Sequence, residues 1–238
     1  MDNISVTVAM PAFNVAKFIV ESVESVLSQE FDSFELIIID DGSSDGTPEK
    51  LKRYASDPRI RIERNSANHG SGISRNLILE LARGECLLPC DADDMLLPGA
   101  LERLSCCLHD NPDFGVVYGD ILCLDTEGDR LCEKPSIVGQ DASQVWDLFE
   151  NAVNHGGSMM RTDLLRKVGG YAVGRVPDDW GLFLKMVEIT KIHYLNGHVY
   201  YLWRRHPDSQ SRRGINREAL AHMIRETVER RKKRADLC

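Results

Sequence analysis

The sequence predicts an α/β fold: a doubly wound, mostly parallel sheet with an elaboration in the second half. Two observations carry this. Short apolar, β-branched runs alternate with helical patterns over the first hundred residues or so, and strand-helix-strand alternation calls for crossover helices on a parallel sheet. Polar, turn-rich loops also follow the first, second and fourth of these runs.

ISVTVAM (4–10) is apolar and stopped by Pro11, so it reads as a buried strand. AKFIVESVESVLSQ places Phe18, Ile19, Val23, Val26 and Leu27 at helical spacing. FELIIID (34–40) is a second buried strand, closed by DGSSDGT with Thr47-Pro48 as a helix start. RIRIE (59–63) alternates like a third strand, ISRNLILELARG reads as a helix ending at Gly84, and ECLLPC is a fourth strand. Beyond these, FGVVYGDILCLD, a DTEGD turn and RLCEK predict a hairpin. QVWDLFE and RTDLLRKVGG read as short helices, and PDDWGLFLKMVEIT as a longer one. HYLNGHVYYLWRR is strand-like, and residues 215 to about 235 predict a polar, charged helix.

The totals exclude several classes. A net charge of −8 argues against nucleic-acid binding, which needs a basic face. No apolar run approaches the roughly 20 residues of a membrane-spanning helix, and MDNISVTVAM lacks the basic start of a signal peptide. Seven cysteines without secretory context point to reduced thiols in a cytoplasmic protein, and their spacing does not suit tetrahedral zinc.

The chemistry concentrates in CLLPCDADDMLLPG (86–99), where Asp91, Asp93 and Asp94 crowd into four positions behind a buried strand. Like charges this close raise one another's pKa unless a divalent cation, an arginine or bulk water relieves them. Ligands of open parallel sheets bind outside the carboxyl ends of the strands. The loops PAFN, DDGSSDG and DADD would therefore share one edge, although Asp is also a common turn residue. A dinucleotide fingerprint is absent after the first strand, GSGISR (70–75) fails that pattern, and no P-loop lysine occurs. What remains is an acidic edge with Arg75 on the preceding helix, a setting for Mg²⁺ or Mn²⁺ holding a phosphorylated ligand.

In that order and spacing, VTVAMPAFN, ELIIIDDGSSDGT, NHGSGISRN, GECLLPCDADD and GGYAVGRVPDDWGLFLKM resemble the family-2 inverting glycosyltransferases of the GT-A fold, over roughly residues 4 to 206. The resemblance implies that Pro11, Ala12 and Asn14 line a nucleotide pocket, that Asp41 reads the uracil edge of a UDP-sugar, and that Arg75 lies near the base or the diphosphate. It puts the D-x-D motif on Asp91 and Asp93, with Asp94 beside it. One carboxylate then meets ribose and another the Mn²⁺ or Mg²⁺ ion, Asp93 and Asp94 being open alternatives. Asp179 becomes the catalytic base where the family usually has Glu-Asp; here the pair is Asp178-Asp179. LWRRHPDSQSR resembles a late basic loop, making His206 a metal or phosphate contact, against the alternative of an ordinary surface histidine. Trp180 would stack on a sugar or sit in the core.

The implied organisation is a single domain over 1–238. Residues 1–110 would bind the nucleotide-sugar, 111–214 would be the catalytic half that meets a glycan or lipid-linked acceptor, and 215–238 would form a C-terminal basic helix. RETVERRKKR (225–234), with six basic residues against two acidic, would give that helix a peripheral contact with an anionic membrane surface. Two competing readings are a sugar-1-phosphate nucleotidyltransferase, which wants a glycine- and lysine-rich loop where PAFN stands, and an inactive nucleotide-sugar-binding protein.

Overall fold

The computed structural model describes residues 4–125, the backbone of 130–134, and residues 153–174, 178–209, 225–227 and 229–230. Its first half follows the expected alternation: β1 (Val6–Ala12), α1 (Ile19–Leu27), β2 (Phe34–Asp40), α2 (Thr47–Leu51), β3 (Ile60–Arg64), α3 (Ser71–Leu81) and β4 (Cys86–Pro89). Then come β5 (Met95–Leu96), α4 (Ala100–Asp110), β6 (Phe114–Leu124), β7 (Arg130–Lys134), β8 (Met159–Arg161), α5 (Thr162–Lys167), α6 (Asp178–Met186) and β9 (Lys191–Arg204).

All nine strands described belong to one sheet, in the order β3-β2-β1-β4-β8-β6-β9-β5, with β7 paired to β6. The pairs β1–β2, β1–β4 and β2–β3 are parallel, while β8 and β5 run antiparallel to their neighbours. Alternation along the central strands splits the apolar residues between two faces. Val6, Val8, Met10, Leu36, Ile38 and Leu88 pack with Ile19 and Val23 of α1 and Leu101 and Leu104 of α4. Ala9, Ile37, Ile39 and Leu87 pack with Ile78 of α3, Leu165 of α5 and Leu182 of α6. Helices therefore cover both faces, as a doubly wound sheet requires.

The structure corrects several boundaries. β1 runs through Pro11 to Ala12, because pairing with β4 stops at Ala9↔Pro89 and the missing Pro11 N–H falls where that side of the strand is open. α1 begins at Ile19 rather than Ala16: Asn14 has φ +53°, and the amides of Phe18 and Ile19 close a turn on the Val15 carbonyl. α3 ends at Leu81, and Gly84 is no helix cap. A Cβ there would lie 2.4 Å from the Thr7 nitrogen, so the close approach of β1 selects glycine. β5 and β8 were not anticipated; at two and three residues they are too short to show a period. The predicted helix QVWDLFE and the DTEGD turn beyond Asp125 lie outside the described residues, as does most of the C-terminal basic helix. Of that helix, Thr227 is buried and Arg230 lies 3.5 Å from Glu188. No helix among the described residues is long and apolar enough to cross a membrane.

The tight passage at Gly84 can be tested by Gly84→Ala. The added methyl meets backbone on three sides, with Val6 C at 2.7 Å and Cys86 O at 2.8 Å besides Thr7, so one of the strands must shift. Overpacking of this kind costs about 1–3 kcal/mol. At about 2–4 °C per kcal/mol for a chain this size, calorimetry should record a Tm lower by several degrees. An unchanged Tm would refute the account.

Candidate active site

The strand order reverses between β1 and β4, the switch point at which an open sheet leaves a crevice beyond its carboxyl ends. Pro11 and Ala12 end β1 there, half-buried and buried. Asn14 is exposed, but it knits two loops together: its side-chain Oδ1 accepts the Ser44 backbone amide (2.9 Å), while its backbone N–H donates to Ser43 Oγ (3.0 Å). Asp41 is 3% exposed, and its carboxylate accepts from Asn65 Nδ2 (2.7 Å), the His69 amide (3.0 Å) and the Gly70 amide (2.8 Å). It thereby holds the loop that leads into α3 and delivers Arg75.

The three crowded carboxylates are relieved in three ways. Asp91 Oδ1 lies 2.6 Å from Arg75 Nη2. Asp93 Oδ2 lies 2.9 Å from His206 Nε2, whose ring packs 4.7 Å from that of Phe18. Asp94 is buried, accepting from the Tyr201 hydroxyl on Oδ2 (2.8 Å) and from the Arg204 amide on Oδ1 (2.7 Å). Burial, then the charges of Asp93 and Asp91, push the Asp94 carboxyl well above the usual carboxylate range. Tyr201 also accepts the Asp91 amide (3.0 Å), and Arg204 Nη1 donates to the Asp93 carbonyl (3.2 Å) while Nη2 pairs with Glu21 (2.7 Å). His206 is 7% exposed, which removes the alternative of an ordinary surface histidine.

Tyr201, Arg204 and Glu21 escaped sequence reasoning. The one available signal was an arginine closing an apolar strand just ahead of His206. Among the described residues, no three His, Cys, Asp or Glu side chains are arranged to hold a metal ion. Asp93 and His206 offer a carboxylate and an imidazole side by side. That donor pair suits Mn²⁺ when phosphate oxygens and water complete the shell.

At the other side of the crevice, Arg75 is buried and bridges Asp91 to Asp178, with Nη1 2.5 Å from Asp178 Oδ2. Ser71 Oγ donates to the same oxygen (3.1 Å). Burial raises the Asp178 pKa, but Arg75, His155 and these hydrogen bonds outweigh it, so the carboxyl is held below its ordinary value. Asp179 makes no ion pair among the described residues; its Oδ1 accepts the Trp180 amide (2.8 Å). Trp180 is partly buried against the core on this face of the sheet. His155, also missed from sequence, is buried with Nε2 3.1 Å from the Tyr171 hydroxyl, and the Tyr171 ring lies 5.8 Å from the Arg75 guanidinium. Burial and the charge of Arg75 hold the His155 pKa down. The site residues therefore form two networks. One joins Arg75, Asp91, Asp93, Asp94, Asp178 and His206, and the other builds the Asn14 and Asp41 loops.

Because the Asp178 pKa is depressed on folding, its pairing stabilises the protein above the unfolded value of about 3.9 and is lost as pH falls through the lower folded value. Asp178→Asn should therefore be less stable than the parent at neutral pH, with the gap closing below about pH 4. Urea midpoints compared from pH 7 to pH 3 check this; a gap of constant size would disprove it.

Residues 7–169 match the profile of "Glycosyl transferase family 2". The chain is 32% identical over 216 residues to the putative glycosyltransferase EpsE of Bacillus subtilis, covering 88% of this chain and 76% of that one. It is 36% identical over 141 residues to the UDP-Glc:alpha-D-GlcNAc-diphosphoundecaprenol beta-1,3-glucosyltransferase WfgD of Escherichia coli, covering 59% of this chain and 51% of that protein. S. aureus TarS 1-349, solved in complex with UDP-GlcNAc, superposes with a TM-score of 0.74 at 20% identity, over 88% of this chain and 61% of that one. The mannosyltransferase PcManGT of Pyrobaculum calidifontis, solved with GDP-Man and Mn²⁺, gives 0.70 at 20% identity, over 94% and 64%. This chain thus spans less than two thirds of both solved structures, and the fold they share with it is GT-A. With the profile covering more than half of its length, this chain belongs to glycosyl transferase family 2.

Proposed function

We propose that the chain transfers a sugar from a nucleoside-diphosphate donor, a UDP-hexose or UDP-N-acetylhexosamine, to a hydroxyl of a glycan or lipid-linked acceptor, by single displacement with inversion. The observation that carries this is Asp179: a carboxylate without an ion-pair partner among the described residues, next to an Asp178 locked through Arg75 to the D-x-D loop. Donor loop and free carboxylate thus share one edge of the sheet.

Asp179 occupies the first turn of α6, at the positive end of the helix dipole. It would take the acceptor proton as that oxygen attacks the anomeric carbon, while the carbon–phosphate oxygen bond breaks and the diphosphate departs from the opposite face. The carbon gains oxocarbenium character as in glycoside hydrolysis, and one displacement inverts it. Pro11, Ala12, Asn14 and Asp41 would border the nucleotide, and Asp91 the ribose. Asp93 and His206 would hold a Mn²⁺ or Mg²⁺ ion, which when bound neutralises charge on the departing diphosphate. Asp94, with both oxygens engaged inward, would act as the brace of that loop rather than as a ligand.

UDP-Glc in the name of WfgD and UDP-GlcNAc in the TarS complex support a UDP-sugar, and the diphosphoundecaprenol in the former name supports a lipid-linked acceptor. A panel of UDP-glucose, UDP-galactose, UDP-GlcNAc and GDP-mannose, followed by UDP or GDP release, separates this function from an inactive binding protein. Release from no donor would favour the latter.

Two further outcomes follow. UDP binding measured by calorimetry should weaken in EDTA and in Asp93→Ala and His206→Ala when Mn²⁺ is supplied. UDP affinity indifferent to EDTA would overturn the metal assignment. Asp179→Asn should bind UDP nearly as the parent does yet turn over about 10² to 10⁴ times more slowly, the usual cost of a lost general base. Retained turnover in that variant would move the base elsewhere.

A further inference from the structure

We infer that Arg75 is a positioning residue that locks the base-bearing helix to the donor loop, instead of contacting the diphosphate itself; this rests on Asp179 being the base. The guanidinium is planar, with donors at fixed angles. Its Nη2 holds Asp91 at 2.6 Å and its Nη1 holds Asp178 at 2.5 Å, so one rigid group sets the separation and orientation of carboxylates from the two halves of the chain. Both contacts are charge-assisted and the guanidinium is buried, conditions in which such bonds are strong. These contacts commit both terminal nitrogens to carboxylates, so the guanidinium sits as a bridge between the D-x-D loop and the start of α6.

The surroundings of Arg75 act in the same sense. Ser71, one turn earlier on α3, donates to Asp178. Asn76, the next residue on α3, clasps Tyr171 through both its backbone groups: Nδ2 donates to the Tyr171 carbonyl (3.0 Å) and Oδ1 accepts the Tyr171 amide (2.8 Å). Gly72 lets the chain at Ala172 come close; a Cβ on it would lie 2.4 Å from the Ala172 oxygen and 3.5 Å from Asp178 Oδ2. α3 is therefore a common jig for the D-x-D loop, the Tyr171 segment and the start of α6. Asp179 follows Asp178 directly, so its aim is inherited from this jig. A reacting group displaced by about 1 Å can cost 10²-fold in rate, which is the size of effect the bridge controls.

The test compares Arg75→Lys, Asp178→Asn, the double variant and Asp179→Asn. It reads UDP affinity with Mn²⁺ by calorimetry, and kcat for UDP or GDP release from the panel donor that the parent turns over. Lysine keeps the charge but lacks the fork, so Arg75→Lys and Asp178→Asn should each lower kcat about 10- to 100-fold while UDP affinity stays within about 3-fold. The double variant should lose no more than the worse single, because both remove one bridge. A tenfold loss of UDP affinity at unchanged kcat would make Arg75 a donor contact and overturn the proposal, as would multiplying losses in the double variant. Normal kcat in Asp179→Asn with depressed kcat in the bridge variants would sink the base assignment and keep the bridge; the reverse pattern would sink the bridge alone. Should Arg75→Lys fail to fold, Gly72→Ala leaves every charged group present, and its added Cβ would lie 2.4 Å from the Ala172 oxygen, so that α3 and the Tyr171 segment must shift against one another. It should show the same loss of kcat at retained UDP affinity, and an unchanged kcat would count against the jig.

Discussion

Three carboxylates within four residues repel one another, and much of this site can be understood as the means by which that repulsion is relieved. Each carboxylate is relieved by a different part of the chain: Asp91 by Arg75 on α3, Asp93 by His206 after β9, and Asp94 by burial against Tyr201 and Arg204 on β9 itself. Elements far apart in sequence are thereby drawn to one loop at the end of β4. The requirement is electrostatic, but its consequence is architectural. The D-x-D loop becomes the point where the front of the sheet, α3 and the last strand are fastened together.

That fastening also decides what the loop can offer a ligand. Asp94 has both oxygens engaged inward, by the Tyr201 hydroxyl and the Arg204 amide, so it turns no carboxylate oxygen toward the crevice. Asp93 keeps a partly exposed carboxylate facing an imidazole, a pair that can exchange its mutual hydrogen bond for a shared cation. Asp41 works similarly in the neighbouring loop, where its hydrogen bonds fix the approach to α3. Acidic residues that look alike in sequence thus divide into those whose oxygens are taken up in shaping loops and those left partly exposed. Preorganisation depends on the first kind, because charges that must be reoriented during reaction lose much of their benefit.

Much of this was legible in the sequence. The buried strands β1, β2 and β4 are too apolar to be anything else, and Asp40, Asp41 and the D-x-D cluster stand at the strand ends, as the doubly wound topology demands. The distinction between Asp93 and Asp94 was not legible, since DADD presents them alike. It is made by β5, whose two residues pair Met95 with Leu202 and Leu96 with Tyr201, setting Tyr201 and Arg204 against Asp94. A two-residue strand has no period to detect, and the partners are over a hundred residues away in sequence. Gly84 misled for a related reason: a glycine after a helix usually caps it, whereas here the constraint came from β1. Arg75 was visible as a charge near the site, but its second partner, Asp178, is a tertiary contact.

The Asp178-Asp179 pair shows how such a contact can resolve an ambiguity of sequence. Successive residues on a helix diverge by about 100°, so two adjacent carboxylates cannot face the same target. Asp178 is committed to α3, with Arg75 and Ser71 on one of its oxygens. Asp179 is consequently turned away from α3, with its carboxylate left outside the bridge. Gly72 lets the Ala172 carbonyl come close to α3 beside this bridge: a Cβ there would lie 2.4 Å from the Ala172 oxygen. The Arg75 bridge and the close approach at Gly72 thus both fix the chain just ahead of and at the start of α6, and in the proposed mechanism the aim of Asp179 depends on them.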